Sequence, residues 1–291
     1  MTTDIPGDEQ LQPLAYDRSS KGTTRDSSLC RTQSQCTSSN SPGSFEFAVS
    51  KSHWQGLEHI SRLIVFGDSF CRFGDENTWL SHFLQSINRG RQAKNKLEAS
   101  NYASPGSTVE DDLADQLNAF FKHYPKKSCP ESTPSLDPNS TVYIFCLGIN
   151  DCSRTDIDDL EELVNQLFED GLDDVFVKAG GRNFLLIDVP PKDRSPGARA
   201  VEEPDLGARY STWNRLLRRR AEAFAADSPQ ASLFLFSSYK VVTGILDDPA
   251  EYDFSEDDVD DVGAIWLDEL HLSSEVHQVI AEELIEAFEN L

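Results

Sequence analysis

Three residues of this 291-residue sequence could together support nucleophilic catalysis. Ser69 ends a Gly-Asp-Ser motif that follows an apolar run, and Asp268 and His271 lie three residues apart near the C-terminus. In a turn, that spacing lets the carboxylate accept a hydrogen bond from Nδ1 of the imidazole, so that Nε2 is free to take a proton from a serine hydroxyl. Each motif alone is also typical of an ordinary turn or a surface pair, so the prediction depends on their combination.

The elements that must position these residues are predicted from apolar periodicity. Four apolar runs have the length and composition of buried strands: 63–66, 142–147, 184–189 and 233–236. Strands that alternate with helices predict an α/β domain with a parallel sheet and helices on both faces. Ser69 and a Gly-Ile-Asn-Asp motif at 148–151 both follow such strands. They are therefore expected at the carboxyl edge of the sheet, where open α/β sheets bind their ligands.

Helices are predicted where apolar residues keep a spacing of three or four. The segments are 79–87, 108–121, 160–175, 210–224 and 274–288. The second would begin at Thr108, with the threonine hydroxyl as its cap and Glu110, Asp111 and Asp112 in its first turn.

The N-terminal segment has a different composition from the rest of the chain. Between residues 17 and 44, 13 of 28 residues are Ser or Thr, and apolar residues are scarce. Such a segment buries too little apolar surface to offset the entropy of ordering it. We therefore predict a disordered tail over residues 1–44 and a single domain over residues 45–291.

The composition bears on partners and compartment. A formal net charge of −24 disfavours nucleic acid and anionic membrane surfaces as partners. No run of 18 apolar residues is present, which argues against a membrane span and stable membrane association. The N-terminus has no signal-peptide pattern, so a cytoplasmic location is expected; a secreted form is the alternative if the native N-terminus differs.

Metal ligands are not indicated by the cysteine or acidic patterns. The six cysteines include no Cys-x-x-Cys pair and are expected to be free thiols; Cys146 and Cys152 are remote candidates for a catalytic thiol. The acidic run at 247–261 lacks the order of an EF-hand and is predicted to be a solvated loop. We therefore expect no metal and no cofactor.

In combination, the motifs resemble the SGNH, or GDSL-type, hydrolase superfamily. Its four blocks are matched in order by Gly-Asp-Ser at 67–69, Gly106, Gly-Ile-Asn-Asp at 148–151 and Asp-Glu-Leu-His at 268–271. The longer stretch Trp-Leu-Asp-Glu-Leu-His at 266–271 looks like fungal GDSL acylhydrolases, which are often grouped with the acetylesterases of carbohydrate esterase family 16. The resemblance implies a flavodoxin-like three-layer α/β/α sandwich around a central, mostly parallel five-stranded sheet.

The resemblance also implies a role for each matched residue. Ser69 would be the nucleophile, His271 the base and later the acid, and Asp268 the carboxylate that orients the imidazole. The oxyanion hole would use the backbone N–H groups of Ser69 and Gly106 and the side-chain amide of Asn150.

Four further residues are given supporting roles. Asp68 and Asp151 are expected to hold the turn and the loop that carry their neighbouring site residues. Trp79 and Trp266 offer flat apolar faces suited to stacking on a sugar ring, with a place in the core as the alternative. The sequence differs from many relatives at Phe-Cys-Arg, positions 70–72, directly after the proposed nucleophile.

The leading hypothesis is a serine esterase that hydrolyses short-chain esters, acetyl esters foremost, on a small molecule or saccharide through an acyl-enzyme. A lipid acylhydrolase, lysophospholipase or thioesterase with the same site is the first alternative. A non-catalytic binding protein of the same fold is the second, and the intact blocks argue against it. The oligomeric state is not indicated by the sequence, and a monomer is the working expectation.

Overall fold

The computed structural model describes residues 36–37, 44–71, 77–125, 136–201 and 205–291. Within these ranges seven strands form one sheet. They are β1 (Cys36–Thr37), β2 (Phe45–Val49), β3 (Arg62–Gly67), β4 (Glu98–Asn101), β5 (Thr141–Cys146), β6 (Asn183–Ile187) and β7 (Ser232–Phe236). The two residues of β1 belong to the segment predicted to be a disordered tail. The remainder of that segment up to residue 43 lies outside the described residues, and the prediction for it stays a prediction.

The α-helices lie in the connections between the strands and, for the last two, after β7. They are α1 (Trp79–Asn88), α2 (Leu113–His123), α3 (Ile149–Arg154), α4 (Leu160–Gln166), α5 (Pro196–Val201), α6 (Leu206–Asp227), α7 (Ser238–Asp247) and α8 (Ser274–Glu289). Two π-helical segments, Leu167–Leu172 and Val175–Ala179, follow α4. No helix in the described part of the chain is long and apolar enough to cross a membrane.

The strand order confirms the predicted α/β class and adds two strands to the predicted five. The order across the sheet is β1-β2-β7-β6-β5-β3-β4. The five strands from β7 to β4 are parallel, whereas β1 and β2 join the edge at β7 in antiparallel fashion. Because β3 lies between β4 and β5, the loops that follow these three strands meet at one edge of the sheet.

Successive side chains along each strand point to opposite faces of the sheet, and the helices that cover the two faces enclose two separate cores. The sheet and the two helical layers are the three layers of the domain. On β3, Leu63 and Val65 pack in the core that α1, α7 and α8 cover. Ile64 and Phe66 point into the opposite core, under α2, α4 and α6. Nearly every residue of the central strands is therefore buried, as expected for a parallel sheet with both faces covered.

The predicted start of α2 is wrong by five residues. Thr108 Oγ1 accepts a hydrogen bond from Asp111 N at 3.1 Å, but within a turn that precedes the helix. The backbone N–H of Val109, the residue after Thr108, donates to Asp151 Oδ1 at 2.8 Å, 42 residues further along the chain. This long-range bond ties the segment to the loop after β5, and the helix begins only at Leu113.

Gly148, between β5 and α3, is a position that only glycine fits. Its φ is +129°, and a Cβ placed there would lie 2.3 Å from the indole ring of Trp213 on α6. The absence of a side chain lets α6 pack directly against the loop that leads to Asn150.

We expect Gly148→Ala to reduce the free energy of unfolding by about 1–3 kcal/mol more than Gly180→Ala, because it adds a steric overlap to the unfavourable φ. Gly180 is the matched control, with φ of +74° and open space around the position of a Cβ. Urea denaturation of both variants measures the difference. Equal losses would show that the contact with Trp213 is not limiting.

Candidate active site

The turn that carries Ser69 is held by one buried side chain of α2. Gln116 Oε1 accepts from Gly67 N at 2.9 Å, and its Nε2 donates to Gly67 O at 2.8 Å and to Ser107 Oγ at 3.1 Å. Ser104 N also donates to Gly67 O, at 3.1 Å. The end of β3 and the loop after β4 are thus joined by the Gln116 amide and by this backbone hydrogen bond.

Asp68 fixes the turn from the other side. Its side chain is fully buried; Oδ1 accepts from Phe70 N at 2.8 Å and Oδ2 accepts from Asn150 Nδ2 at 3.3 Å. Burial raises the pKa of Asp68 to about 7, although the Phe70 N–H and the positive charge of Lys192 oppose this. The carboxyl group therefore holds the turn at residues 68–70 in place through these two hydrogen bonds, which is the role expected for Asp68 from the sequence.

Asn150 joins three of the four motifs. In addition to its contact with Asp68, its Nδ2 donates to Ser107 O at 3.0 Å, next to Gly106, whose φ is +77°. Both amide hydrogens of Asn150 therefore have acceptors within the protein. By contrast, the backbone N–H groups of Ser69 and Gly106 donate to no other described residue.

Asp151 supports the same loop. It is buried, and its Oδ1 accepts the hydrogen bond from Val109 N. Burial raises the pKa of Asp151 to about 6, against the effect of the Val109 N–H. The side chain thereby connects the start of α3 to the segment before α2, as expected from the sequence.

Asp268 and His271 form the predicted pair. His271 Nδ1 lies 2.8 Å from Asp268 Oδ2, and the backbone N–H groups of Leu270 and His271 donate to Oδ1 at 2.8 and 2.7 Å. Partial burial raises the pKa of Asp268, but these hydrogen bonds outweigh it and lower the pKa to about 2. Because the carboxylate is an acceptor, Nδ1 carries the hydrogen and Nε2 keeps its lone pair.

Ser69 and His271 do not hydrogen-bond to each other in this structure. Ser69 is half-buried, and its hydroxyl has no hydrogen-bond partner among the described residues. The side chain of His271 is 46% exposed, and that of Asp268 54%. Hydrogen bonds between catalytic groups are often long in the absence of substrate and shorten when substrate binds.

Two residues at this site were missed from the sequence. Gln116 interrupts the apolar face of α2, and a polar residue on a buried helix face needs a partner, so the pattern gave a usable signal. Lys192 follows the two prolines after β6, where a charged residue is normally solvated, yet it is only 4% exposed. Its Nζ donates to Leu270 O at 2.6 Å, and nothing in the sequence signalled that contact.

The proposed sugar-stacking role of Trp79 and Trp266 is contradicted by the structure. Both side chains are 0% exposed and pack in the core under α1, α7 and α8. Trp266 Nε1 donates to Val259 O at 3.0 Å. Neither ring has a free face for a substrate, because the helical and loop positions that carry them face inward.

Thiol and metal chemistry find little support among the described residues. Cys71, Cys146 and Cys152 are buried and free. Burial raises the pKa values of Cys146 and Cys152 above that of an ordinary thiol, which disfavours a thiolate nucleophile. Within the same described ranges, no group of three or more His, Cys, Asp or Glu side chains could hold a metal ion.

A cavity of about 320 Å³ lies elsewhere on the carboxyl edge, beyond β6 and β7. Its buried carboxyl group, Asp188, accepts from Ser237 Oγ and Ser238 Oγ. Glu46 is paired with Arg218 at 2.9 Å. These groups satisfy one another, and the residues that line the cavity include no histidine. The motif residues therefore make the better candidate site.

The sequence profile of the GDSL-like Lipase/Acylhydrolase family matches residues 63–284, a span that covers more than half of the chain and includes all four motifs. The chain belongs to this family. The family is one of GDSL-like lipases and acylhydrolases.

A curated relative is an acetylesterase of Thermothelomyces thermophilus, 23% identical over 184 residues. The match covers 60% of this GDSL chain and 60% of the acetylesterase. The chain therefore spans less than two thirds of the length of that relative.

Solved structures of similar fold include an acetyl xylan esterase, AlAXEase, with a TM-score of 0.51 and 16% identity, over 77% of this chain and 97% of that one. A GDSL-like lipase from Parabacteroides merdae ATCC 43184 has a TM-score of 0.50 and 14% identity, over 79% and 95%. At these identities the likeness concerns the fold, and it agrees with the α/β architecture described above.

We expect Gln116→Leu to lower the free energy of unfolding by about 2–3 kcal/mol, because it leaves the buried N–H of Gly67 without its side-chain acceptor. It should also lower kcat/KM for an ester substrate by roughly 10–100-fold, since the turn that carries Ser69 loses its support. Gln278→Leu, on the exposed face of α8, is the control and should change stability by less than about 0.5 kcal/mol. Wild-type stability and rate in Gln116→Leu would contradict the assigned role.

Proposed function

We propose that this protein is a serine esterase that removes short acyl groups, acetyl foremost, from a hydroxyl group of a small neutral molecule such as a saccharide. The observation that carries the proposal is the Asp268–His271 pair. Nδ1 of the imidazole is occupied by the carboxylate, and Nε2 has no hydrogen-bond partner among the described residues. With Ser69 on a rigidly held turn, these groups supply a nucleophile, a base and an orienting carboxylate.

In the first half of the reaction, Ser69 Oγ attacks the carbonyl carbon of the ester while His271 Nε2 takes the hydroxyl proton. Asp268 stabilises the imidazolium that forms and keeps its proton on Nδ1. When the tetrahedral intermediate collapses, the bond from carbonyl carbon to alcohol oxygen breaks. His271 returns the proton to the departing alcohol, and the acyl group remains on Ser69.

In the second half, a water molecule attacks the acyl-enzyme and gives up a proton to His271. Collapse of this second intermediate releases the carboxylic acid, and the proton returns from His271 to Ser69 Oγ. Both halves use the same three side chains, so the enzyme is regenerated with no external oxidant, reductant or cofactor.

The oxyanion of each intermediate would be bound by the backbone N–H groups of Ser69 and Gly106, neither of which has another partner among the described residues. Asn150 could supply a third N–H by releasing Asp68 Oδ2, the longer of its two contacts at 3.3 Å. One such donor is worth about 3–4 kcal/mol of transition-state stabilisation in other hydrolases.

The preference for small neutral esters is supported by two observations. The relative from Thermothelomyces thermophilus is an acetylesterase, and the net charge of −24 repels anionic micelles and uronate-rich polymers over long range. The two exposed leucines beside the base, Leu267 and Leu270, at 63% and 46% exposure, favour longer acyl chains as the second candidate.

We expect Ser69→Ala and His271→Ala each to lower kcat for p-nitrophenyl acetate by at least about 10³-fold, because both act in one proton-transfer unit. Asp268→Asn should retain roughly tenfold more activity than either. Ser104→Ala, with an exposed hydroxyl in the neighbouring loop, is the control and should keep the wild-type rate.

A fluorophosphonate probe should label wild-type protein on Ser69 and should not label Ser69→Ala, as read by peptide mass spectrometry. Labelling at another residue, or a near-native rate in purified Ser69→Ala, would refute the assignment.

Acyl length is tested with a series of esters from two to sixteen acyl carbons. We expect kcat/KM for the acetyl ester to exceed that for the palmitoyl ester by about tenfold or more, at least ~1.4 kcal/mol of transition-state discrimination. Rates that rise with chain length would favour the lipid-acylhydrolase alternative.

A further inference from the structure

Lys192 is a buried cation that the reaction described above does not use. Its ammonium group donates one hydrogen bond, to Leu270 O at 2.6 Å, and lies 5.7 Å from the centre of the Trp266 ring. No described carboxylate lies within ion-pair distance of it. Burial of an ammonium without a direct counter-ion is unfavourable, and it lowers the pKa of Lys192 to about 8.

The charged and titratable groups that face Lys192 come from three elements. Asp68, on the turn after β3, and Asp268, in the loop before α8, both favour its charged form. On α8, burial and the charge of Lys192 lower the pKa of His277 to about 3, with His82 and His271 contributing in the same sense. Lys192 therefore lies between the turn of the nucleophile and the loop of the base.

Two hydrogen bonds join the loop at 267–271 to the segment 192–197. Leu270 O accepts from Lys192 Nζ, and Glu269 O accepts from Gly197 N at 2.8 Å. Within the described part of the chain, the other hydrogen bonds of these five residues close the loop on itself, including that from Leu267 N to His271 O at 2.7 Å.

The segment 192–197 is itself firmly anchored. Arg194 donates to Asp247 Oδ1 at 2.6 Å and to Leu246 O at 3.1 Å, both at the end of α7. The approach to the loop is close, since a Cβ at Gly197 would lie 2.9 Å from Glu269 O. A contact from this segment can therefore set the position of the loop it touches.

We propose that Lys192 is a positioning residue for ester hydrolysis: its ammonium group holds the carbonyl group that precedes His271 and so sets where the imidazole stands relative to Ser69. This inference rests on the proposed function. This role accounts for a buried ammonium group without an ion pair, bonded to the carbonyl group of the residue just before the base.

Replacement by methionine keeps the length of the side chain and removes its charge. We expect Lys192→Met to lower kcat/KM for p-nitrophenyl acetate by about 10–100-fold, because the imidazole is displaced. Its Tm should be unchanged or higher, because a buried charge without an ion pair gives way to an apolar group of similar size. Lys178→Met, on an exposed lysine, is the control and should change neither quantity.

The pH dependence separates positioning by charge from simple structural support. As pH rises through about 8, Lys192 loses its proton and wild-type kcat/KM should fall. Because the pKa in the folded protein lies below the unfolded value of 10.5, the unfolded chain binds more protons between these values. Wild-type stability relative to Lys192→Met should therefore rise over the same pH window. Lys192→Arg stays charged and should lack the alkaline fall in kcat/KM.

The outcomes distinguish this inference from the proposed function. Wild-type protein without turnover and without fluorophosphonate labelling at Ser69 would overturn the proposed function. Active, labelled wild-type protein with Lys192→Met within twofold of its rate, or with the alkaline fall retained in that variant, would overturn the role of Lys192 alone. Should Lys192→Met not fold, the wild-type profile decides: constant kcat/KM from pH 7 to 9.5 refutes the proposal.

Discussion

The buried carboxyl group of Asp68 is the contact on which the candidate site depends. It accepts one hydrogen bond from its own turn, at Phe70 N, and one from the amide of Asn150, which belongs to the loop after β5. Through Asn150 it is connected to Ser107 and the loop after β4. One carboxyl group thus relates the ends of three parallel strands, and the strand order that places β3 between β4 and β5 makes this possible.

The parts of the structure that could be predicted from the sequence are those with a local pattern. The apolar run of β5 and the Asp-x-x-His spacing are complete within a few residues, so both were recognised. β2 was missed because its five residues mix apolar and charged side chains and pair with β7, far along the chain. The predicted stacking role of Trp79 and Trp266 was wrong for a related reason, since a tryptophan among apolar neighbours gives the same sequence pattern in a core as at a surface.

Some functional positions are visible only once the loops are placed. The roles of Gln116 and Lys192 depend on contacts 49 and 78 residues away in sequence. Both are polar groups in buried surroundings, which opposes folding unless each finds a partner. Both ends of the Gln116 side-chain amide are hydrogen-bonded, whereas Lys192 has a single hydrogen-bond acceptor among the described residues, Leu270 O. Gln116 therefore acts as part of the scaffold, whereas Lys192 is a charged group kept in a buried position beside the proposed catalytic residues.

The self-contained loop of Asp268 and His271 has a mechanical consequence. Its acid, its base and the backbone bonds between them all lie within five residues, from Leu267 to His271. The tautomer of the imidazole is therefore set inside the loop and does not depend on where the loop lies relative to Ser69. The turn that carries Ser69 is likewise held by its own hydrogen bonds, so the nucleophile and the base belong to two separately assembled units. The contacts of Lys192 and Gly197 with the loop then determine how far apart these two units lie.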